Sequence, residues 1–337
     1  MPIHRLTKGL KPTTTKHEVP LLYHEPHVET GFRHIHQPWS YYACSLFQKH
    51  NECMNVWTHL IGVLLTISRV IGFAVEFGVT DPKKWSLYAG LFTMTVMYMC
   101  STFAHCFSNK SELVHYTGFM IDYAGIGLFG FGSVMLHYSY CIKDSMKGGM
   151  IDNYAIPIGI FLGWLVTFCN SVSKVRYTRP YPFTRKLWQL IPVASIYIFL
   201  ILPILHRIYL FFFHNATDPS IHDHIQQIIW FLFAGFFFGS DIPQRFFPGK
   251  FDFLGHSHQI FHICILFVTL NQLDAVYVDL HQMKMSPYHA TFMGSFGAVL
   301  LVLLGNIIIV LSFHMYVRFK ILPERHHRQL HHNGKQH

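Results

Sequence analysis

Eight blocks of mostly apolar residues, each about 20 residues or longer, dominate this 337-residue chain. A helix of about 20 residues crosses the hydrocarbon core of a bilayer, which is roughly 30 Å thick. The composition agrees, because only 13% of the residues are charged, whereas soluble domains contain about 25%. The sequence therefore predicts an all-α, polytopic membrane helix bundle with eight transmembrane helices, at residues 56–77, 85–107, 113–136, 153–173, 187–210, 221–239, 255–277 and 289–314.

These blocks divide the chain into three parts. Residues 1–55 are predicted to form an N-terminal arm, residues 56–314 the transmembrane bundle, and residues 315–337 a His-rich tail. The sixth block is the weakest of the eight, because polar residues dilute its first turns: His222, Asp223, His224, Gln226 and Gln227.

The distribution of Lys and Arg predicts the orientation of the bundle. The arm, the tail and the even-numbered loops carry 19 of the 26 Lys and Arg residues, the opposite side carries 6, and Arg69 lies inside the first block. Cytoplasmic segments are enriched in these residues, so both termini are predicted to be cytoplasmic. The glycosylation sequon at Asn215 then lies outside and the sequon at Asn109 inside. The net charge of +9 suits anionic lipid headgroups at the cytoplasmic face better than nucleic acid.

Five polar side chains are predicted to lie in the cytoplasmic half of the bilayer. His258 and His262 are four positions apart at the start of the seventh block, so they share one face of a helix. Ser101 and His105 have the same spacing at the end of the second block, and Asp122 lies two to three turns into the third. All five therefore fall at a similar depth in the bilayer, although the topology was inferred from the Lys and Arg residues alone.

Three imidazoles form a suitable ligand set for zinc. His105, His258 and His262 would leave one position of a tetrahedral ion open to water, as in catalytic zinc sites. Asp122 would then orient a ligand or accept a proton from the bound water, and Ser101 would hydrogen-bond that water or a substrate carbonyl. Each side chain alone is better explained by an interhelical hydrogen bond, but His105, His258 and His262 together with Asp122 favour a metal site.

Another polar group lies at the entrance of the first block. Glu52, Asn55 and His59 are three and four positions apart, so one polar face is predicted to point into the bundle at its cytoplasmic end. Interhelical hydrogen bonding explains this face most simply. A role in binding substrate or in supporting a metal ligand is the alternative.

Several segments resemble the signature motifs of the progestin and adipoQ receptor family. The resemblance spans residues 30–315 and rests on residues 51–59 (NECMNVWTH), 101–105 (STFAH), 122–127 (DYAGIG), 247–252 (FPGKFD) and 257–262 (SHQIFH). The short arm and the further apolar block after the His-containing one resemble the membrane progestin receptor branch, since the adiponectin receptors of this family stop at seven spans.

The resemblance implies a zinc site and two candidate functions. In the family, histidines that match His105, His258 and His262 hold zinc, and positions that match Ser101 and Asp122 lie beside the zinc-bound water. The branch implies a multi-pass plasma-membrane receptor for a progestin-like steroid or a sphingolipid-like ligand, acting through G proteins or other second messengers. The alternative is a zinc-dependent, ceramidase-like hydrolase of lipid amides. No motif in the sequence encodes steroid recognition, so the ligand, the importance of hydrolysis, the G-protein coupling and the oligomeric state stay open.

Overall fold

A computed structural model describes residues 9–282 and 291–325 of the chain. Within these residues, eight long helices lie at the positions predicted from the apolar blocks. They are α1 Cys53–Phe77, α2 Trp85–Phe107, α3 Glu112–Leu136, α4 Ala155–Arg176, α5 Phe183–Phe213, α6 Ile221–Ser240, α7 Ser257–Gln282 and α8 Ala298–Tyr316. Short π-helical segments extend α3 and flank α8, at His137–Cys141, Met293–Gly297 and Val317–Ile321.

Shorter helical elements lie in the arm and in the loops. Two are α-helical, Trp39–Cys44 and Met150–Asn153, and four are 3-10 turns, Lys16–Glu18, Leu21–Tyr23, Ser45–Phe47 and Pro82–Lys84. The helix that contains α8 continues to Arg325, beyond its predicted end at residue 314. Residues 1–8 of the arm, 289–290 of the eighth block and 326–337 of the tail lie outside the described residues.

Seven helices of the described part are long and apolar enough to cross a membrane. They correspond to α1–α5, α7 and α8 with their extensions. The remaining long helix, α6, has 20 residues, and the polar side chains of its first two turns make it less apolar than the others. The prediction of a polytopic helical membrane bundle is therefore confirmed. The eighth crossing and the cytoplasmic location of both termini stay predictions.

α3 is the central helix of the bundle and packs against α2, α4, α5 and α8. Two of its glycines make these approaches possible. A Cβ atom at Gly127 would collide with the backbone of Gly163 in α4, and one at Gly132 would collide with the Thr93 side chain of α2. Small residues let helix backbones come close together, which favours association inside a bilayer. The centre of the bundle therefore depends on the absence of side chains at these positions.

The N-terminal arm folds against one end of the bundle, which we call the arm end. Strands β1 (Thr14–Thr15) and β2 (Thr30–Phe32) pair antiparallel. Asp252, in the loop between α6 and α7, accepts hydrogen bonds from the backbone N–H groups of Glu29 and Thr30 at 3.1 and 2.8 Å. The arm is therefore held by a loop more than 200 residues further along the chain.

Arg33 attaches the arm to the C-terminal end of α2. The side chain is completely buried, and its guanidinium donates hydrogen bonds to the carbonyl oxygens of His105 and Cys106 at 2.7 and 2.6 Å. These carbonyls have no partner within the helix, and they carry the negative end of the helix dipole. The positive charge of Arg33 therefore stabilises the last turn of α2, which contains His105.

A buried ion network connects α5, α6 and α7 at the opposite end of the bundle. Arg207 donates to both carboxylate oxygens of Asp218, at 2.8 and 2.6 Å, and to both oxygens of Asp279. Ser220 and His224 also contact Asp279, at 2.6 and 3.1 Å. The Arg207, Asp218 and Asp279 side chains are at most 3% exposed. Each buried charge is thus compensated by an opposite charge.

Candidate metal centre

The three predicted histidines come together at the arm end of the bundle. His105 lies in the last turn of α2, and His258 and His262 lie in the first two turns of α7. Their potential ligand atoms all lie within 4.8 Å of one another, and Nε2 of His105 is 3.3 Å from Nε2 of His258. Two nitrogen ligands of a tetrahedral zinc ion are about 3.3 Å apart when each Zn–N bond is about 2.0 Å. The spacing therefore fits an ion bound by three imidazoles.

Glu52 supports this cluster through His105. Its Oε2 accepts a hydrogen bond from His105 Nδ1 at 2.7 Å and another from Asn55 Nδ2 at 2.7 Å. Burial alone would raise the pKa of Glu52, but the contacts with His105 and Asn55 outweigh it and hold the pKa well below its usual range. A carboxylate that accepts from Nδ1 leaves Nε2 of the imidazole free for a metal. The contact agrees with the second of the two interpretations of the polar face formed by Glu52, Asn55 and His59, namely that this face supports a metal ligand.

His262 is oriented by residues of α1. Its Nδ1 lies 3.2 Å from the carbonyl oxygen of Asn55 and 3.2 Å from Thr58 Oγ1. Donation from Nδ1 to the Asn55 carbonyl leaves Nε2 of His262 free to bind an ion. His59 stacks on His262 with the ring centroids 3.7 Å apart. Both ring nitrogens of His59 are buried and have no hydrogen-bond partner in the described part of the chain.

A cavity of about 900 Å³ opens beside the histidines. This volume lies within the range of small-molecule sites, about 300–1,000 Å³. The cavity extends from residues 24–29 of the arm to Gln272 in α7. Much of its wall is apolar and comes from α2, α3, α5 and α7, including Met97, Ile126, Phe129, Val193, Leu200 and Val268. The cavity is therefore suited to an apolar molecule with a polar group at the arm end.

Asp122 and Ser101 line the same cavity, as predicted. Asp122 is 8% exposed and lies close enough to His105 for their charges to interact. Ser101 is also buried, and its hydroxyl faces the Asp122 carboxylate. All five side chains predicted from the sequence therefore converge on one cavity.

A second group of potential metal ligands lies in the ion network. Cys141, His224 and Asp279 also have ligand atoms within 4.8 Å of one another. However, the Arg207 guanidinium donates to Asp279 and lies 2.9 Å from Nε2 of His224. Because this cation already contacts both the carboxylate and the imidazole, the group is better explained by the ion network than by a metal.

Comparison with known proteins identifies the family. The family model described as "Haemolysin-III related" matches residues 47–273, which contain α1–α6 and the histidines of α7. The human membrane progestin receptor beta is 38% identical over 269 residues, which cover 79% of this chain and 76% of the receptor. The membrane progestin receptor alpha-B of Danio rerio is 35% identical over 268 residues, 78% of this chain and 75% of that protein.

A third relative covers more of the chain. The membrane progestin receptor alpha of Mus musculus is 33% identical over 314 residues, which cover 92% of this chain and 90% of the receptor. The matched length includes the apolar block that follows the His-containing helix, the feature that indicated this branch. The chain therefore belongs to the haemolysin-III-related family of progestin and adipoQ receptors, within which its relatives are membrane progestin receptors.

Proposed function

We propose that the protein is a cell-membrane receptor for a progestin-like steroid or a related, sphingolipid-like molecule. The observation that carries this proposal is the cavity of about 900 Å³ with a largely apolar wall and a polar cluster at one end. A steroid has a rigid apolar body and few polar groups, so it suits such a wall. The three relatives compared above are named membrane progestin receptors, which supports the same ligand class.

A cavity-filling substitution tests steroid binding. Ile126 lines the cavity, so Ile126→Trp should reduce the affinity for radiolabelled progesterone by at least about tenfold, because the larger ring excludes the ligand. Ile71→Trp is the matched control, since Ile71 is 59% exposed on the outer face of α1. Equal binding by both variants and the parent would place the steroid elsewhere, and no binding by the parent would refute the proposed ligand.

We also propose that His105, His258 and His262 hold one zinc ion. Zinc at such a site polarises carbonyl groups and lowers the pKa of a bound water. Glu52 orients His105, and the Asn55 carbonyl orients His262. Because His105 belongs to α2 and the other two histidines to α7, a shared ion would join these helices and stabilise the wall of the cavity. Signalling through G proteins is the further expectation of the receptor proposal.

Metal analysis of the purified protein tests the site. We expect one zinc per chain in the parent, and a sharp loss when any of His105, His258 and His262 is replaced by Ala. His281→Ala is the control, because His281 is on the same helix as two of the ligands but is 46% exposed and contacts Glu76. Retention of stoichiometric zinc by the triple His→Ala variant would contradict the proposal.

A zinc-dependent lipid-amide hydrolase is the second candidate function. It is favoured by the position of Asp122 near His105 and by the Ser101 hydroxyl beside it in the cavity wall. The Asp122 carboxylate could accept a proton and return it to the leaving amine, while the Ser101 hydroxyl could donate a hydrogen bond to the substrate carbonyl.

The variant Asp122→Asn separates hydrolysis from binding. We expect it to retain zinc and steroid affinity but to lose turnover of a panel of ceramides, because the amide group cannot act as a base. Hydrolysis at the parent rate would exclude Asp122 as the base, and loss of zinc would assign it a structural role. A parent protein that holds zinc but turns over no ceramide would leave the receptor as the remaining function.

A further inference from the structure

Lys174, near the end of α4, is a buried amine with no carboxylate within ion-pair distance in the described part of the chain. It is 4% exposed and lines the arm end of the cavity. Its Nζ donates to His115 Nε2 at 3.0 Å and lies 4.0 Å from the centroid of the Phe119 ring. His115 Nδ1 donates in turn to the Ser108 carbonyl at 3.2 Å, which leaves its Nε2 as an acceptor. Among the residues that the structure describes, no carboxylate forms an ion pair with Lys174.

Two arginines add positive charge at the same end of the cavity. Arg185 lies 3.8 Å from the centroid of the Tyr181 ring, and Arg179 lies 3.6 Å from a Glu25 carboxylate oxygen, further than a hydrogen bond. The Nε atoms of both arginines are buried and have no hydrogen-bond partner within the described ranges. The arm end of the cavity therefore holds three basic side chains whose hydrogen-bond donors are incompletely satisfied.

We propose that Lys174, Arg179 and Arg185 bind the oxyanion head of an amphipathic ligand, a carboxylate or a sulfate, whose apolar body occupies the cavity. Burial makes a charge on Lys174 costly, and the carboxylates of Glu25 and Glu52 act on it only from beyond ion-pair distance. Hydrogen bonds from Lys and Arg to an oxyanion would satisfy the free donors and compensate the charge. The inference rests on the proposed function in one respect, that the cavity binds a ligand.

This oxyanion subsite is distinct from the metal centre. The Phe119 ring contacts Lys174 on one side, and its centroid lies 5.5 Å from that of the His105 ring. A head group bound to Lys174 would therefore not replace a ligand of the metal. A surface lipid is also a poor source of the anion, because Lys174 is too buried to extend its ammonium group to the membrane surface. The anion must therefore be the head group of a molecule that itself enters the cavity.

Matched probes that differ only in charge test the subsite. Pregnenolone sulfate is compared with pregnenolone, and oleate with oleyl alcohol, by binding to the purified full-length protein in nonionic detergent. We expect each anion to bind about tenfold or more tightly than its neutral partner, because hydrogen bonds to a charged group are stronger than those to a neutral one. Lys174→Met should remove this preference and leave the neutral probes unaffected, which also shows that the variant is folded.

Two control variants sharpen the test. Lys186 lines the same end of the cavity but pairs with Asp241 at 2.7 Å, so Lys186→Met should reduce anion binding much less than Lys174→Met. Lys174→Arg keeps the charge and should keep the preference. In a His258→Ala variant that still binds the neutral probes, the preference should also persist. Loss of the preference while neutral binding is retained would assign the anion to the metal centre and overturn the inference.

The remaining outcomes separate the subsite from the steroid proposal. A Lys174-dependent preference for oleate, without binding of either steroid, would support the subsite and refute a steroid ligand. Equal affinities within both pairs would overturn the subsite, even when pregnenolone binds. Stabilisation by inorganic sulfate as large as that by the amphiphiles would overturn the amphipathic ligand, and no binding of any probe would overturn the inference completely.

Discussion

Replacing Glu52 should weaken zinc binding although Glu52 is not itself a metal ligand. Its carboxylate lies 2.7 Å from His105 Nδ1 and its side chain is 15% exposed. The hydrogen bond orients the imidazole and makes Nε2 a better donor to a metal. Glu52→Ala removes both the charge and the acceptor, whereas Glu52→Gln removes the charge and keeps an oxygen. The two variants therefore separate the electrostatic effect from the orientation.

The size of the effect follows from the contact. A hydrogen bond to a charged group contributes about 1.5–3 kcal/mol, and each 1.4 kcal/mol is about tenfold in affinity. We therefore expect zinc affinity to fall by about tenfold in Glu52→Gln and by about 100-fold in Glu52→Ala. This range agrees with the 10–100-fold losses typical of groups that hydrogen-bond to metal-bound histidines.

Competition with a chromogenic zinc chelator measures this affinity on the purified protein. Glu112→Gln is the control, since Glu112 is another acidic residue at the arm end but pairs with Arg325, 3.4 Å away, and not with a histidine. If Glu52→Ala binds zinc as tightly as the parent while His262→Ala does not, the contact between Glu52 and His105 has no role in metal binding.

Three further predictions concern stability and topology. Arg207→Met should destabilise the protein by about 3–5 kcal/mol, because it leaves Asp279 buried without its counterion and Asp218 with only Lys143, 3.6 Å away; an unchanged unfolding midpoint in detergent would contradict this. Gly132→Leu should abolish recovery of monodisperse protein, because its Cβ would collide with Thr93, and a normal yield would show that α2 and α3 can separate. A glycosidase-sensitive glycan should be present on Asn215, and a glycan in an even-numbered loop would invert the orientation.

The helices and the candidate ligands could be predicted because their signals are local. An apolar block of membrane-spanning length specifies a helix wherever it occurs, and the structure has a helix at each block. The spacing of His258 and His262 places them on one face of that helix, and the depths of His105 and Asp122 follow from their positions within their spans. The sixth block is the exception: because its first turns are polar, its hydropathy specifies a helix but not a membrane crossing.

Only the tertiary structure shows which partners these residues have. Glu52 contacts His105 across 53 residues of chain, and Asn55 contacts His262 across 207. Lys174 looks like an ordinary basic residue at the cytoplasmic end of a span, yet it is buried in the cavity wall. Hydropathy sets the length and depth of a helix but not its rotation or its neighbours, which depend on close packing at glycines such as Gly127. The candidate site residues could thus be predicted from the sequence, whereas their hydrogen-bond partners depend on how the helices pack.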